Sequence, residues 1–250
     1  KSYDSIFQSE EQRNTEEIKP VPISELKPFT EQPFKVKLDE DMDALVESIK
    51  QCGVLTPVIA RPHKDGGYEI LSGHRRVKAC ELAGITDIPV VVKNLDDDTA
   101  TILLVDSNLQ PEHILPSKKA FAYQMKLEAM KRNAGRPEKE NFVQIGQNKS
   151  PYNSRQELSE QTGESSVQIQ RYIRLTNLID PILDMVDNNQ IAMNAAVEIS
   201  YLGSKEQAAV MQSIEKEETS PSIAQARKMR KFHQDGNLSN AVIDSIMMEQ

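Results

Sequence analysis

The stretch YEILSGHRRVKACELAG, residues 68–84, decides the fold. Residues 68–72 read as a short apolar strand. Residues 74–83 read as a helix, with Val77, Ala79, Cys80 and Leu82 suited to burial and Gly84 as its stop. Gly73 stands at the junction. A glycine there lets the backbone approach a phosphate closely, and the helix start offers free N–H groups to an anion. Arg75 and Arg76 add forked donors that match phosphate oxygens. The same residues also suit an ordinary strand-to-helix corner with a basic surface, so the surroundings have to decide.

Upstream, KPVPISELKPF (residues 19–29) is an extended segment cut by prolines. DEDMDALVESIKQCG (39–53) is a helix with an acidic start, Met42, Leu45, Val46 and Ile49 at helical spacing, and Gly53 as a stop. TPVIARP (56–62) and DIPVVVKNL (87–95) are strands. Residues 19–110 therefore read as a small α/β domain. A polar, acidic, flexible arm over residues 1–18 precedes it and carries the apolar island YDSIF (3–7), either a fraying terminus or a docking peptide.

The 250 residues suffice for two or three small domains, each with a core. The formal net charge of −8 argues against indiscriminate coating of nucleic acid, yet leaves room for a local DNA-reading face. No apolar run approaches a membrane span and no secretory signal pattern is present, so no membrane partner is expected. The chain opens on Lys1 rather than Met, which points to a longer natural chain. Cys52 and Cys80 make neither a disulfide framework nor a zinc site; both read as buried, inert thiols of a cytoplasmic protein.

From residue 96 the pattern is helical. DDDTATILLVDSNLQ (96–110) is one helix, and another begins near Ser117. Residues 111–235 read as an all-helical domain interrupted by a polar loop at 133–153. That loop, with Arg136, Lys139 and Lys149 and with Arg132 just before it, reads as a linker or as a phosphate-contacting arm. Residues 236–250 read as a tail or as the start of a dimerisation region.

Within the helical part, SRQELSEQTGESSVQIQRYIRLTNL (154–178) follows helix-turn-helix grammar. Ser154 is placed to cap the first helix, Gly163 makes the turn, and Ser165 or Ser166 caps the second helix. Val167, Ile169, Ile173 and Leu175 serve as its apolar anchors. Base contacts then fall to Ser165, Ser166, Gln168, Gln170 and Arg171, since arginine pairs with guanine and glutamine with adenine in the major groove. Lys149, Arg155 and Arg174 fall to phosphates. Two core helices with a polar exterior would share the same spacing. A further stretch, DSNLQPEHILP (106–116), places Asn108 and Gln110 at a helix end as oxygen ligands able to help hold Mg²⁺ beside phosphates, while His113 reads as a surface histidine.

Taken together, these segments resemble the ParB partition-protein family. SGHRR (72–76) sits where that family has its Gly-Glu-Arg-Arg phosphate box, SNLQP (107–111) where it has Glu-Asn-x-x-Arg, and residues 154–178 at its helix-turn-helix. The resemblance implies an α+β chain: a small ParB/sulfiredoxin-like N-terminal domain, then an all-helical helix-turn-helix DNA-binding domain. It implies a homodimer at a palindromic parS-like site on double-stranded DNA, acting as a CTP-gated sliding clamp on the bacterial nucleoid. A ParA-type ATPase would engage the N-terminal arm. The cofactors implied are CTP and Mg²⁺. The implied nucleotide residues are Thr56, Pro57, Gly73, His74, Arg75, Arg76 and Asn108, with Asn108 also at the metal.

Three departures qualify the resemblance. His74 replaces the box glutamate, Ser107 the glutamate associated with hydrolysis, and Pro111 the second motif's arginine. Binding with slow or absent hydrolysis is expected, at most a weak CTPase. A nucleotide-independent helix-turn-helix regulator is the alternative. Sulfiredoxin chemistry is not expected, because Gly73 stands where that relative carries its cysteine nucleophile.

Overall fold

The structure, a computed structural model, describes residues 18–30, 34, 36, 38–109, 114–135 and 151–249. It divides into two compact units, residues 1–108 and 109–250. The arm at 1–17, with YDSIF, lies outside the described residues, as do Gln110, Pro111, His113, Arg136, Lys139 and Lys149.

The first unit is built on one mixed sheet. Its strands are β1 (Ile18–Pro22), β2 (Leu26–Lys27), β3 (Val58–Pro62), β4 (Tyr68–Ser72) and β5 (Asp87–Val92), in the order β1-β5-β3-β4-β2. β1 lies at the edge, antiparallel to β5, where Pro20 and Pro22 cost no central ladder bonds. β3 runs parallel to β5 and antiparallel to β4, with a register shift at Ile59/Ala60. Among the described residues three α-helices complete the unit: α1 (Glu40–Cys52), α2 (His74–Ala83) and α3 (Asp97–Asn108). Met42, Val46 and Ile49 of α1 meet Val77 and Cys80 of α2 and Val58, Ala60 and Ile70 of the sheet in one apolar cluster. Leu71 and Leu104 are also fully buried, and α3 packs on β4. Truncating one of these large side chains to alanine costs about 2–5 kcal/mol.

A charged knot crosses the sheet. Arg61 on β3 stands opposite Glu69 on β4 and bonds it through Nε at 2.7 Å and Nη2 at 2.6 Å. Arg61 also reaches Asp97 at the start of α3, at 2.8 Å. Glu69 accepts from Thr30 N–H at 3.3 Å. Burial alone would pull Arg61 down, but the two carboxylates outweigh it and raise its pKa.

The second unit is helical: α4 (Pro116–Gly135), α5 (Pro151–Thr162), α6 (Ser166–Leu175), α7 (Asp180–Asp187), α8 (Met193–Ile199), α9 (Ser204–Glu217), α10 (Ile223–Gln234) and α11 (Asn240–Met247). Leu175, Ile182, Ile191, Ile199, Val210 and Met229 lie at the centre of its core. Gln207 is buried yet fully used. Its Oε1 accepts from Ile179 N–H at 2.9 Å, and its Nε2 donates to the carbonyls of Asn177 and Leu202 at 3.0 and 2.9 Å. One amide thus satisfies the backbone of two corners at once.

Several sequence expectations are corrected here. Cys52 is exposed at the end of α1, and only Cys80 is buried. Leu82 is half exposed rather than buried. Ser154 does not cap the first helix of the motif, because α5 begins at Pro151 and Ser154 is buried within it. Val167 is no anchor, since its side chain faces solvent. Beyond residue 236 the chain is not a tail: α11 places Ile243, Ile246 and Met247 in the helical core.

Candidate nucleotide cradle and nucleic-acid interface

The end of β4 runs directly into α2 through Gly73, which holds φ 104° and ψ 21°. A side chain there is excluded twice. The left-handed backbone disfavours any Cβ, and a Cβ would lie 3.0 Å from Arg76 Nη2 and 3.0 Å from Val58 Cγ2. Gly73 carries no side-chain cap, so the first N–H groups of α2 lack the partner that a serine or aspartate would give. That leaves a positive helix end open to an anion.

Arg76 folds back over this corner. Its Nη1 donates to the carbonyls of Thr56 and of Pro57, the latter at 2.7 Å. Burial pulls its pKa down from the ordinary arginine value. The predicted residues Thr56, Pro57, Gly73 and Arg76 are thus brought together by direct contact. Arg75 points elsewhere. Its Nη2 lies 3.3 Å from Asp39 Oδ1, and Asp39 also caps α1 by accepting from Met42 N–H at 3.0 Å.

His74, the first residue of α2, buries its Nε2 without a hydrogen-bond partner. Burial lowers its pKa to about 4, with the Glu69 carboxylate pulling the other way. The imidazole is therefore neutral near pH 7, and an Nε2–H tautomer can donate. Cys80, two turns into α2, is fully buried, and that burial pushes its thiol up, away from the thiolate a nucleophile needs.

At the end of α3, Ser107 Oγ lies 2.9 Å from Leu104 O and 3.3 Å from Leu71 O, which brings this helix end beside the end of β4. Asn108 Nδ2 donates to Leu104 O at 2.8 Å and to Ser107 Oγ at 3.2 Å. Its Oδ1 remains as an oxygen donor to a cation. Among the described residues no three His, Cys, Asp or Glu side chains come together as a metal site. This donor set fits Mg²⁺ only as an ion carried largely by phosphate oxygens and water.

In the helical unit, α5 and α6 meet at Gly163, which has φ 72°. Ser165 caps α6 by accepting from Gln168 N–H at 3.2 Å, and Ser166 is the first helical residue. Ile169 and Leu175 are fully buried, while Gln170 and Arg171 are exposed. The polar side chains are less free than the sequence suggests. Gln168 Nε2 contacts Met193 Sδ at 3.5 Å. With its oxygen turned toward Arg155, Gln170 accepts from Arg155 Nη1 and Nε, both at 3.1 Å. A two-point adenine contact needs that oxygen, so Gln170 presents only its NH₂ outward while Arg155 stays in place.

Arg174 is held inside the unit. It donates to Ser200 Oγ at 3.1 Å and to Ser200 O at 2.8 Å, and its guanidinium lies 3.9 Å from the Tyr201 ring centroid. Arg230 lies 3.5 Å from the same centroid. Two guanidiniums so close to one ring take its two faces. Glu198 accepts from Arg230 at 2.9 Å and from Arg227 at 3.3 Å. The sequence did not single out Tyr201 or Glu198. The run of Arg227, Lys228, Arg230 and Lys231 was the available signal that α10 faces something acidic, and part of the answer is internal.

Two family descriptions match the chain: ParB N-terminal domain over residues 7–109, and ParB HTH domain over residues 149–235. A chromosome-partitioning protein Spo0J of Thermus thermophilus is 39% identical over 108 residues, covering 43% of this chain and 40% of that protein. A nucleoid occlusion protein of a Geobacillus species is 35% identical over 119 residues, covering 47% of this chain and 42% of that protein. The chain thus spans less than half the length of these relatives. A solved structure of a pNOB8-like ParB N-domain aligns over 93% of this chain and 95% of that one, with a TM-score of 0.53 at 16% identity, a likeness of fold. The α+β architecture and the pair of matched domains agree, and this chain belongs to the ParB family of partition proteins.

Proposed function

We propose that the protein is a DNA-binding partition protein that reads a parS-like palindrome through α6 and binds CTP at the Gly73–Arg76 corner. The observation that carries the nucleotide half is the uncapped, left-handed start of α2, closed by Arg76 over the Thr56 and Pro57 carbonyls. There the backbone N–H groups of α2 take phosphate oxygens, Arg75 swings from Asp39 to the phosphates, and Thr56 and Pro57 shape the wall toward the base. Mg²⁺, when bound, neutralises phosphate charge, and Asn108 Oδ1 is the protein oxygen that helps hold it. Ser107 spends its hydroxyl on backbone carbonyls and offers no carboxylate to orient water, which supports binding with slow or absent hydrolysis.

The DNA half rests on a capped α6 whose outward side carries Gln170 and Arg171, within the matched helix-turn-helix region. Ser165 and Ser166 stand at the helix start, where the groove floor is met. Lys149 and Arg155 precede or lie on α5 and are assigned to the phosphate backbone; Arg155 must first release Gln170. Arg174 contributes by positioning α6. In this reading the protein works as a homodimer on the bacterial nucleoid, closing as a CTP-gated clamp, with a ParA-type ATPase engaging the arm at residues 1–18. Residues 133–153 run from the end of α4 to the start of α5, both in the second unit, and so do not link the two domains.

A second reading is favoured by one observation: Arg75 and Arg76 both already have internal partners, and His74 is neutral. That is how a corner retained only for folding would look, in a nucleotide-independent regulator. Calorimetric titration of CTP, ATP, GTP and UTP with Mg²⁺ separates the two, using wild type and Arg75→Ala. A CTP-selective signal weakened in Arg75→Ala supports the clamp. No signal for any nucleotide, with duplex binding intact and a footprint indifferent to CTP, supports the regulator.

A further inference from the structure

We propose that Val167 is a base-reading residue, taking a thymine methyl in the major groove one helical turn from a guanine taken by Arg171; the inference rests on the DNA-binding reading above. Val167 is 62% exposed at the second position of α6, immediately after the capped start. A β-branched residue in a helix is a weaker helix former than alanine, and here it buries little of itself within its own fold. Its neighbours narrow the choice of readers. Gln168 is engaged by Met193 and the Gln170 oxygen by Arg155. Val167 and Arg171 are four residues apart and therefore on one face. Arg171 is exposed, forms no ion pair among the described residues, and lines a cleft with Asn194, Val197, Glu198, Ile223 and Arg227, where the Glu198 carboxylate is held by Arg227 and Arg230. An exposed methyl pair followed one turn later by an uncommitted guanidinium matches a thymine followed by a guanine. Four residues rise about 6 Å along a helix, and stacked bases rise about 3.4 Å per step. The thymine therefore lies within about two base steps of the guanine.

The test uses the whole 250-residue chain. Duplexes are selected from a randomised pool by wild type, Val167→Ala and Arg171→Ala, and each thymine of the selected site is then replaced by uracil, which lacks the methyl. One replacement is expected to weaken wild type about fourfold, the worth of one buried methyl-sized group, and to weaken Val167→Ala less, since the variant keeps only its Cβ. Val167→Ala should lose base preference at that pair alone. Arg171→Ala should lose roughly five- to 150-fold in affinity and its preference for a guanine within two steps. If wild type selects a site but every uracil replacement affects wild type and Val167→Ala alike, this inference is overturned and DNA binding stands. The same holds if wild type binds duplex in a salt-sensitive way without selecting a sequence. Absence of any salt-sensitive duplex binding overturns the DNA-binding reading itself, and this inference with it. Circular dichroism of both variants confirms that α6 is retained.

Discussion

Two helices of this molecule begin in opposite ways. α2 starts on Gly73, left-handed and without a side-chain cap, so its backbone N–H groups are left for something outside the helix. α6 starts on Ser165, whose hydroxyl answers the backbone at Gln168. The first is a site made of backbone, suited to an anion whose identity is mostly charge. The second has its backbone satisfied and presents side chains, suited to a ligand told apart by its edges. The arginines follow the same division. Arg76 is turned inward to close the corner, while Arg171 stays outside.

Acid should separate the two starts most strongly. The folded pKa of His74, about 4, lies below the ordinary 6.5, so the fold favours the neutral ring. Its contribution to stability is whole above pH 6.5 and is lost progressively as pH falls toward 4, on the order of 3 kcal/mol. Urea titrations from pH 7.5 to 4.5 should show this slope in wild type and a shallower one in His74→Gln. An equal slope in both would mean that His74 is solvated.

Gly73→Ala comes next. A Cβ in a left-handed backbone, pressed against Arg76 and Val58, should cost about 1–3 kcal/mol and abolish nucleotide binding, with duplex affinity at high protein stability unchanged. Retained CTP binding would show that the backbone start of α2 is not the cradle. Ser165→Ala should cost about 1 kcal/mol, read by denaturation of the helical unit, and leave nucleotide affinity as it was. The smallest effect is Asp39→Asn. Weakening the contact at 3.3 Å should free Arg75 and raise CTP affinity a few-fold, in proportion to an exposed ion pair worth about 0.2–1 kcal/mol. A fall in affinity would instead make Asp39 part of the binding site.

Much of this was legible in the residues alone. The strand, the glycine and the helix of 68–84 announce themselves by period and by punctuation, and Ser165 sits where a cap belongs. The misreadings share a cause. Val167 was grouped with Ile169, and Leu82 with Cys80, yet residues two apart on a helix lie about 200° apart. Ile169 and Cys80 are inside, so their partners must be outside. Ser154 was assigned as a cap by its type, while the helix started a turn earlier at Pro151. Other features were not legible at all. That Arg76 would find the carbonyls of Thr56 and Pro57, and Arg174 those of residue 200, depends on chain segments brought together only by folding. A basic residue has the same letter whether it waits for a phosphate or already holds a carbonyl.

The stacked Arg174, Tyr201 and Arg230 carry a consequence for how such a protein changes over generations. They fix the roll of α6 from its rear, at positions that need never meet a ligand. The outward positions 167 and 171 contribute little to that anchorage. Substitutions there can therefore accumulate without loss of the folded state, and under the proposed base-reading role a copy of the gene can drift to a different recognition sequence one residue at a time. Two copies that share this rear anchorage and differ at those two positions would keep to separate sites in one cell.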